Sequence, residues 1–226
     1  MPQAGLKRKP VAVLFDLDGT LIDSAPDLAG TANDMLTARG LLPVPYDALR
    51  PHAGSGARGM LGAAFACKPG QPNYEPLREE FYERYQQRML RLTRVFDAVV
   101  GLLDALTQRG LPWGIVTNKA LRFAEPQALA LGLLPRAQVL VAGDSTPHTK
   151  PHPGSLLEAA RRLGLPPGEC VYVGDDVRDM QAARAAGMAA WAAAWGYLGP
   201  QAAVEQWGAD IVLAHPTALL QSLDLA

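Results

Sequence analysis

The sequence predicts an α/β fold in which a doubly wound, mostly parallel sheet carries an inserted α-helical domain. Short apolar runs alternate with helix-like patterns along most of the 226 residues, as expected when right-handed crossovers connect parallel strands. One interval, residues 24–93, breaks this alternation and contains helix-like patterns without a convincing strand. We therefore predict an α/β core formed by residues 1–23 and 94–226, with a helical cap inserted at 24–93.

Six short segments are the candidate strands of the core. Each is almost continuously apolar, which is the pattern of a parallel strand buried on both faces. They are VAVLF (11–15), WGIVT (113–117), QVLVA (138–142), CVYVG (170–174), AAWAAAW (189–195) and DIVL (210–213). Between the later strands, segments such as 97–110 carry apolar residues at i, i+3, i+4 and i+7, which predicts helices.

The interval at 24–93 is predicted to contain two helices, over residues 27–39 and 75–92. They are separated by LLPVPYD, HAGSGARGML and KPGQPNYEP, which are rich in proline and glycine. Because the interval directly follows the first strand, we expect it to lie above the carboxyl ends of the strands. Open α/β sheets place their binding sites at these ends.

Composition and charge exclude several classes of function. The formal net charge is −1, so no global field recruits nucleic acid or an anionic membrane. Only five apolar residues precede Asp16, too few for a signal peptide, and no segment approaches the roughly 20 apolar residues of a membrane span. The two cysteines, Cys67 and Cys170, form no CxxC pair. We expect a cytoplasmic protein without nucleic-acid or membrane partners.

Polar residues that could carry chemistry follow four of the predicted strands. They are Asp16 and Asp18 after the first strand, Thr117 and Asn118 after the second, Lys150 after the third, and Asp175, Asp176 and Asp179 after the fourth. Parallel strands place all these ends on one edge of the sheet. So many carboxylates require a cation, and oxygen ligands favour Mg²⁺, which commonly bridges carboxylates to a phosphate. Lys150 adds a point charge suited to phosphate.

These residues also carry a family resemblance. DLDGT (16–20), VTN (116–118), the lysine of KPHP (150–153) and VGDD (173–176) with Asp179 resemble the four motifs of haloacid dehalogenase superfamily phosphatases, which have a Rossmann-like core. The resemblance implies that Asp16 is a nucleophile that forms an aspartyl phosphate and that Asp18 is a general acid and base. It further implies that Thr117 and Lys150 hold the transferring phosphoryl oxygens.

The same resemblance implies a metal site and substrate contacts. Mg²⁺ would be bound by the Asp16 carboxylate, the Asp18 backbone carbonyl and Asp175. Asp176 completes the predicted ligand set, with Asp179 left open as the alternative. The substrate-binding residues implied are Gly19, Thr20 and Asn118 in the core, and Arg58 in the glycine-rich loop of the cap.

The implied substrate is a small phosphorylated metabolite, handled by a monomer or a homodimer. The insertion is similar to the cap of the subfamily that includes phosphoglycolate phosphatases. ERYQ, VTNKALRFAEP, GYL and QWGAD resemble N-acetylmuramic acid 6-phosphate phosphatases. Both substrates carry a carboxylate that Arg58 could pair.

Other functions share parts of this pattern. A phosphosugar mutase has the same core motifs and differs in whether water attacks the intermediate. A dehalogenase has no need of Asp18, and a phosphonate-cleaving relative needs a cap lysine, for which Lys68 in a KPG turn is the only candidate. A non-catalytic metal- or phosphate-binding module would lack the nucleophile or the acid, and neither is missing here.

Overall fold

A computed structural model describes residues 9–199 and 202–223. In chain order its strands are β1 (Ala12–Phe15), β2 (Ile22–Asp23), β3 (Arg94–Val95), β4 (Trp113–Val116), β5 (Leu140–Val141), β6 (Cys170–Gly174), β7 (Ala189–Ala193) and β8 (Ile211–Leu213). Six of these described strands form one parallel sheet in the order β5-β4-β1-β6-β7-β8. The predicted fold class is confirmed, and all six predicted strands are present, β6 with the predicted bounds and the other five shorter than predicted.

Strand β1 lies at the centre of the sheet and places the site. Leu14 aligns with Gly114 of β4 on one side and with Tyr172 of β6 on the other. All four residues of β1 are fully buried, which explains the continuous apolar run. Because the strand order reverses at β1, the carboxyl ends of β1, β4 and β6 face a common crevice.

Helices cover both faces of this sheet and fill the insertion. They are α1 (Ala25–Thr37), α2 (Tyr46–Leu49), α3 (Gly56–Phe65), α4 (Tyr74–Arg88), α5 (Asp97–Gln108), α6 (Leu121–Ala130), α7 (Gly154–Leu163), α8 (Val177–Ala186) and α9 (Ala218–Ser222). Helices α5, α6 and α9 pack on one face of the sheet, and α7 and α8 pack on the other. Among the described residues, no helix combines the length and apolar character needed to cross a bilayer.

Helices α1 to α4 lie between β2 and β3, which pair as a short antiparallel ribbon. The helices share their own apolar cluster, in which Met35, Leu61 and Phe81 are fully or almost fully buried. Asp27 of α1 is also fully buried, and its carboxylate accepts hydrogen bonds from the backbone of Leu92 and from Thr93. These contacts tie the first helix of the insertion to the chain segment that leaves it.

Two details of the insertion differ from the prediction. The glycine-rich stretch predicted as a loop is helical: its first part lies in a 3₁₀ helix, Arg50–Ser55, and its second part begins α3, which buries Ala57, Met60 and Leu61 at helical spacing. Gly59 supports packing there, since a Cβ would collide with the carbonyl oxygen of His52. The ribbon of β2 and β3 was not predicted, because a two-residue strand leaves no periodic pattern.

Candidate active site

The loop after β5 places Lys150 at the centre of the carboxylate cluster. Its ammonium lies 2.9 Å from Asp16 Oδ1 and 2.7 Å from Asp179 Oδ1, and its side chain is 2% exposed. It also donates to Tyr172 Oη at 2.6 Å. Burial alone would lower the pKa of Lys150, but Asp16 and Asp179 outweigh burial and raise it. Lys150 is therefore a fixed cation beside Asp16.

Asn118 holds the Lys150 backbone in place. Its side-chain amide donates to the Lys150 carbonyl at 3.0 Å and accepts from the Lys150 amide at 2.8 Å. The sequence analysis predicted Asn118 as a substrate contact. Asn118 also lines the cavity above the site, so this contact stays a prediction. Its side-chain amide in addition positions the lysine loop, a role that only the folded contact between β4 and this loop makes visible.

Asp16, Asp175 and Asp179 form a group that could hold a metal ion, since their ligand oxygens lie within 4.8 Å of one another. Asp16 Oδ1 is buried and accepts no well-directed hydrogen bond from residues that the structure describes, although it faces Lys150. Burial raises the pKa of Asp175 well above its usual range, and the charges of Asp16 and Asp179 raise it further. These three carboxylates offer only oxygen ligands and carry more negative charge than Lys150 alone balances. Such a site fits a hard divalent cation such as Mg²⁺.

The structure does not bring Asp176 into this group and places Asp179 there instead. The Asp176 carboxylate accepts two side-chain hydrogen bonds from Arg178, at 2.8 and 2.7 Å, and a 2.8 Å bond from the Arg178 backbone amide. It caps α8, with Asp179 at the third helical position completing a capping box. The spacing Asp176-x-x-Asp179 before an apolar helix is the sequence signal that could have assigned this role.

Asp175 is held by groups that the sequence analysis assigned to the substrate. Thr20 is fully buried, and its hydroxyl donates to Asp175 Oδ1 at 3.1 Å. The backbone amide of Tyr197 donates to Asp175 Oδ2 at 2.8 Å. Gly19 has φ +85°, and a Cβ there would collide with the Asp175 carboxylate. Thr20 and Gly19 therefore position Asp175. A glycine is required at position 19 because the Asp175 carboxylate approaches its backbone closely.

Replacing Gly19 with alanine tests this close approach. We expect Gly19→Ala to destabilise the protein by about 1–3 kcal/mol beyond the cost of a positive φ, because Asp175 must move. We also expect the substitution to abolish hydrolysis. Gly40→Ala is the matched control, since Gly40 has φ +69° and open space around it. Urea unfolding and phosphate release measure the two effects. Normal activity in Gly19→Ala would contradict the assignment.

Asp18 is held by contacts that the sequence analysis missed. Its Oδ1 accepts from the Ser24 hydroxyl and from the Lys119 ammonium, the latter at 2.7 Å. Lys119 also donates to Tyr85 Oη on α4 at 2.9 Å and to Gln127 on α6 at 2.5 Å. The pKa of Lys119 is raised, because Asp18 and Tyr85 outweigh the lowering effect of burial. The sequence places Lys119 directly after VTN, which could have indicated a role in the site. The residues that Lys119 contacts lie far apart in sequence, so the sequence alone does not identify them.

A cavity of about 510 Å³ opens above these side chains, between the sheet and the insertion. Asp16, Thr117 and Lys150 line it on the sheet side. The predicted residue Arg58 lines it from α3, where its side chain is exposed. The fold and this cavity together define an α/β enzyme with a carboxylate-centred active site.

Comparison with known proteins gives the family. The sequence profile described as haloacid dehalogenase-like hydrolase matches residues 11–187. The chain is 44% identical to an N-acetylmuramic acid 6-phosphate phosphatase from Pseudomonas aeruginosa, over 95% of each chain. It is 47% identical to a phosphoglycolate phosphatase from Xanthomonas campestris pv. campestris, over 94% of this chain and 96% of the relative. The protein belongs to the haloacid dehalogenase-like hydrolase family and is a phosphatase of that family.

Solved structures agree with this assignment. The crystal structure of a predicted phosphoglycolate phosphatase from Haemophilus somnus superposes with a TM-score of 0.83 at 26% identity. The superposition covers 95% of this chain and 98% of that one. The similarity extends over the core and the helical insertion together.

Proposed function

We propose that the protein is a Mg²⁺-dependent phosphomonoesterase that acts on a small phosphorylated metabolite through an aspartyl phosphate at Asp16. The observation that carries the proposal is the position of Lys150 between Asp16 and Asp179, beneath a cavity large enough for a metabolite. A carboxylate beside a fixed cation can attack phosphorus, which is the covalent route open to aspartate.

Asp16 forms a bond to phosphorus while the bond from phosphorus to the leaving oxygen breaks. Lys150 offsets the charge that collects on the phosphoryl oxygens, and Thr117 at the end of β4 contributes its hydroxyl to the same group. Preorganised charge of this kind supplies most of the rate in phosphoryl transfer. The burial of Lys150 makes its contribution larger, because little water screens it.

Asp18 moves the protons of both steps. Ser24 and Lys119 both donate to Asp18 Oδ1, so the transferred proton passes through Oδ2. Asp18 first gives this proton to the leaving oxygen. It then accepts a proton from the water that attacks phosphorus, which breaks the bond to Asp16 and releases inorganic phosphate.

Asp16, Asp175 and Asp179 would hold Mg²⁺, together with the Asp18 backbone carbonyl. The metal would neutralise carboxylate charge and attract the phosphate oxygens toward Asp16. Thr20 and Gly19 keep Asp175 in place for this role, and Asp179 is in turn held by Lys150.

The two relatives named above suggest the substrate. One is named for N-acetylmuramic acid 6-phosphate and the other for phosphoglycolate. A volume of about 510 Å³ lies within the 300–1,000 Å³ typical of pockets for drug-sized ligands, which favours the larger molecule. Arg58 lines this cavity from the insertion and adds a positive charge that favours an anionic substrate.

A steady-state screen of phosphorylated metabolites tests the proposal. We expect phosphate release that requires Mg²⁺ and is abolished by EDTA, with N-acetylmuramic acid 6-phosphate among the best substrates. The panel includes 2-phosphoglycolate and glucose 1-phosphate. Conversion of glucose 1-phosphate into its isomer without phosphate release would favour a mutase, and hydrolysis that persists in EDTA would contradict the metal assignment.

A further inference from the structure

The cavity continues well beyond the phosphate-handling residues. Its end on the insertion side is lined by Tyr74, Arg78, Phe81 and Tyr82 of α4, and Phe123 of α6 lines it from the core. A phosphate held at Asp16 and Lys150 fills only the opposite end. This far end therefore receives the part of the substrate that does not react. The residues that handle the phosphate do not specify the chemistry of that part.

Aromatic rings form one wall of this far end. The Tyr82 and Phe123 rings lie 5.5 Å apart between centroids and meet at a tilt of 41°. Phe123 is 3% exposed, so its ring is fixed by packing. The Arg122 guanidinium lies over both rings, 4.9 Å from the Tyr82 centroid and 4.7 Å from the Phe123 centroid, but it does not line the cavity. The parts of the rings that line the cavity suit the apolar face of a ring-shaped ligand.

The charge of the far end is positive. Within the described part of the chain, the acidic residues that line the cavity are Asp16, Asp18, Asp176 and Asp179, all in the core, whereas the insertion contributes Arg58 and Arg78. An anionic group at the far end therefore meets arginine without facing a carboxylate of the cavity wall.

Arg78 is the better placed of the two arginines to bind a second anion. Among the described residues its Nε is buried and has no hydrogen-bond partner, a costly state that a small rotation of the guanidinium toward a ligand acceptor would relieve. Its Nη2 pairs with Glu75 at 2.6 Å, but the Glu75 side chain is 62% exposed, so water screens that pair. The planar guanidinium matches the geometry of a carboxylate.

We propose that Arg78, Tyr82 and Phe123 form a distal subsite that binds the carboxylate-bearing, ring-shaped end of the substrate. Arg78 determines specificity by pairing the carboxylate, and the two rings pack against the apolar face of the sugar. This inference rests on the proposed phosphatase function, because it takes the phosphate to be held at Asp16.

Kinetics on two matched sugar phosphates test the subsite. N-acetylmuramic acid 6-phosphate has the carboxylate, and N-acetylglucosamine 6-phosphate has the same ring without it. We expect Arg78→Gln to lower kcat/KM for the carboxylated sugar by about 10- to 100-fold, mainly through KM. The same variant changes kcat/KM for the uncarboxylated sugar by less than about threefold, and Arg78→Lys recovers part of the loss.

Arg84→Gln is the matched control. Arg84 is on the same helix, pairs with Glu80 at 2.9 Å and has the same 39% side-chain exposure as Arg78, but it does not line the cavity. We expect it to behave as wild type on both sugars. Equal losses on both sugars in Arg78→Gln, or no loss on either, would overturn the subsite.

The failure of the subsite is distinguishable from the failure of the phosphatase proposal. A wild-type enzyme that hydrolyses 2-phosphoglycolate with Mg²⁺ but shows no preference for the carboxylated sugar refutes only the subsite. A wild-type enzyme that releases no phosphate from any ester refutes both.

Discussion

We expect the Asp16→Asn enzyme to hydrolyse its best phosphate ester at least about 10⁴-fold more slowly than wild type, since an amide cannot act as the nucleophile. The substitution preserves the shape of the side chain, so the fold remains intact. It also removes one of the two carboxylates that contact Lys150. Steady-state kcat with saturating Mg²⁺ measures the effect, and circular dichroism checks the fold.

Asp104→Asn is the control for this substitution. Asp104 is on α5, away from the cavity, and pairs with Arg136 at 2.6 Å at a side-chain exposure of 52%. We expect its kcat to equal that of wild type. Robust hydrolysis by Asp16→Asn would remove Asp16 from the mechanism and leave water as the direct attacking group.

Lys150→Met should have the second large effect, on both stability and rate. Removing the ammonium leaves Asp16 and Asp179 buried without their cation, and breaking a buried ion pair in this way costs about 3–5 kcal/mol. It also removes a charge that stabilises the transferring phosphoryl group, worth about 10²- to 10³-fold in kcat. Urea unfolding without Mg²⁺ gives the stability, and phosphate release with Mg²⁺ gives the rate.

Arg136→Met provides the contrast for an exposed ion pair. The Arg136 side chain is 33% exposed and its partner Asp104 more so, so we expect a loss below about 1 kcal/mol and no change in rate. A similar small loss for Lys150→Met would show that its pairing with Asp16 and Asp179 contributes little to the fold.

The fold could be predicted because its strands are buried on both faces. A strand such as β6 shows this as a continuous apolar run, CVYVG, that needs no knowledge of its neighbours. The edge strand β5 is shorter than predicted, since it pairs on one side only, with β4. Helix α3 was missed because its glycines lower helix propensity, whereas the packing of Met60 and Leu61 stabilises it.

Much of the site was predictable because parallel strands bring their carboxyl ends together. This rule alone places Asp16, Thr117 and Lys150 at one edge of the sheet. It does not decide which carboxylate of a cluster faces inward, because that depends on the helix that follows. Asp176 caps α8 and Asp179 points back to Lys150, one turn further along.

The contacts between the core and the insertion lay beyond sequence reasoning. Lys119 meets Tyr85 only because the insertion folds back over the sheet. The same holds for Arg178, which donates to the Gly54 carbonyl at 2.9 Å. Residues this far apart in sequence show no local pattern, so their pairing needs the three-dimensional structure.

The stereochemical course at phosphorus tests most directly whether Asp16 forms a covalent intermediate. A phosphorothioate ester made chiral at phosphorus with ¹⁸O is hydrolysed in H₂¹⁷O by the wild-type enzyme with Mg²⁺, and the configuration of the released thiophosphate is determined. Two successive in-line displacements, first by Asp16 and then by water, predict net retention of configuration. Inversion would mean a single displacement by water and would contradict the proposed role of Asp16.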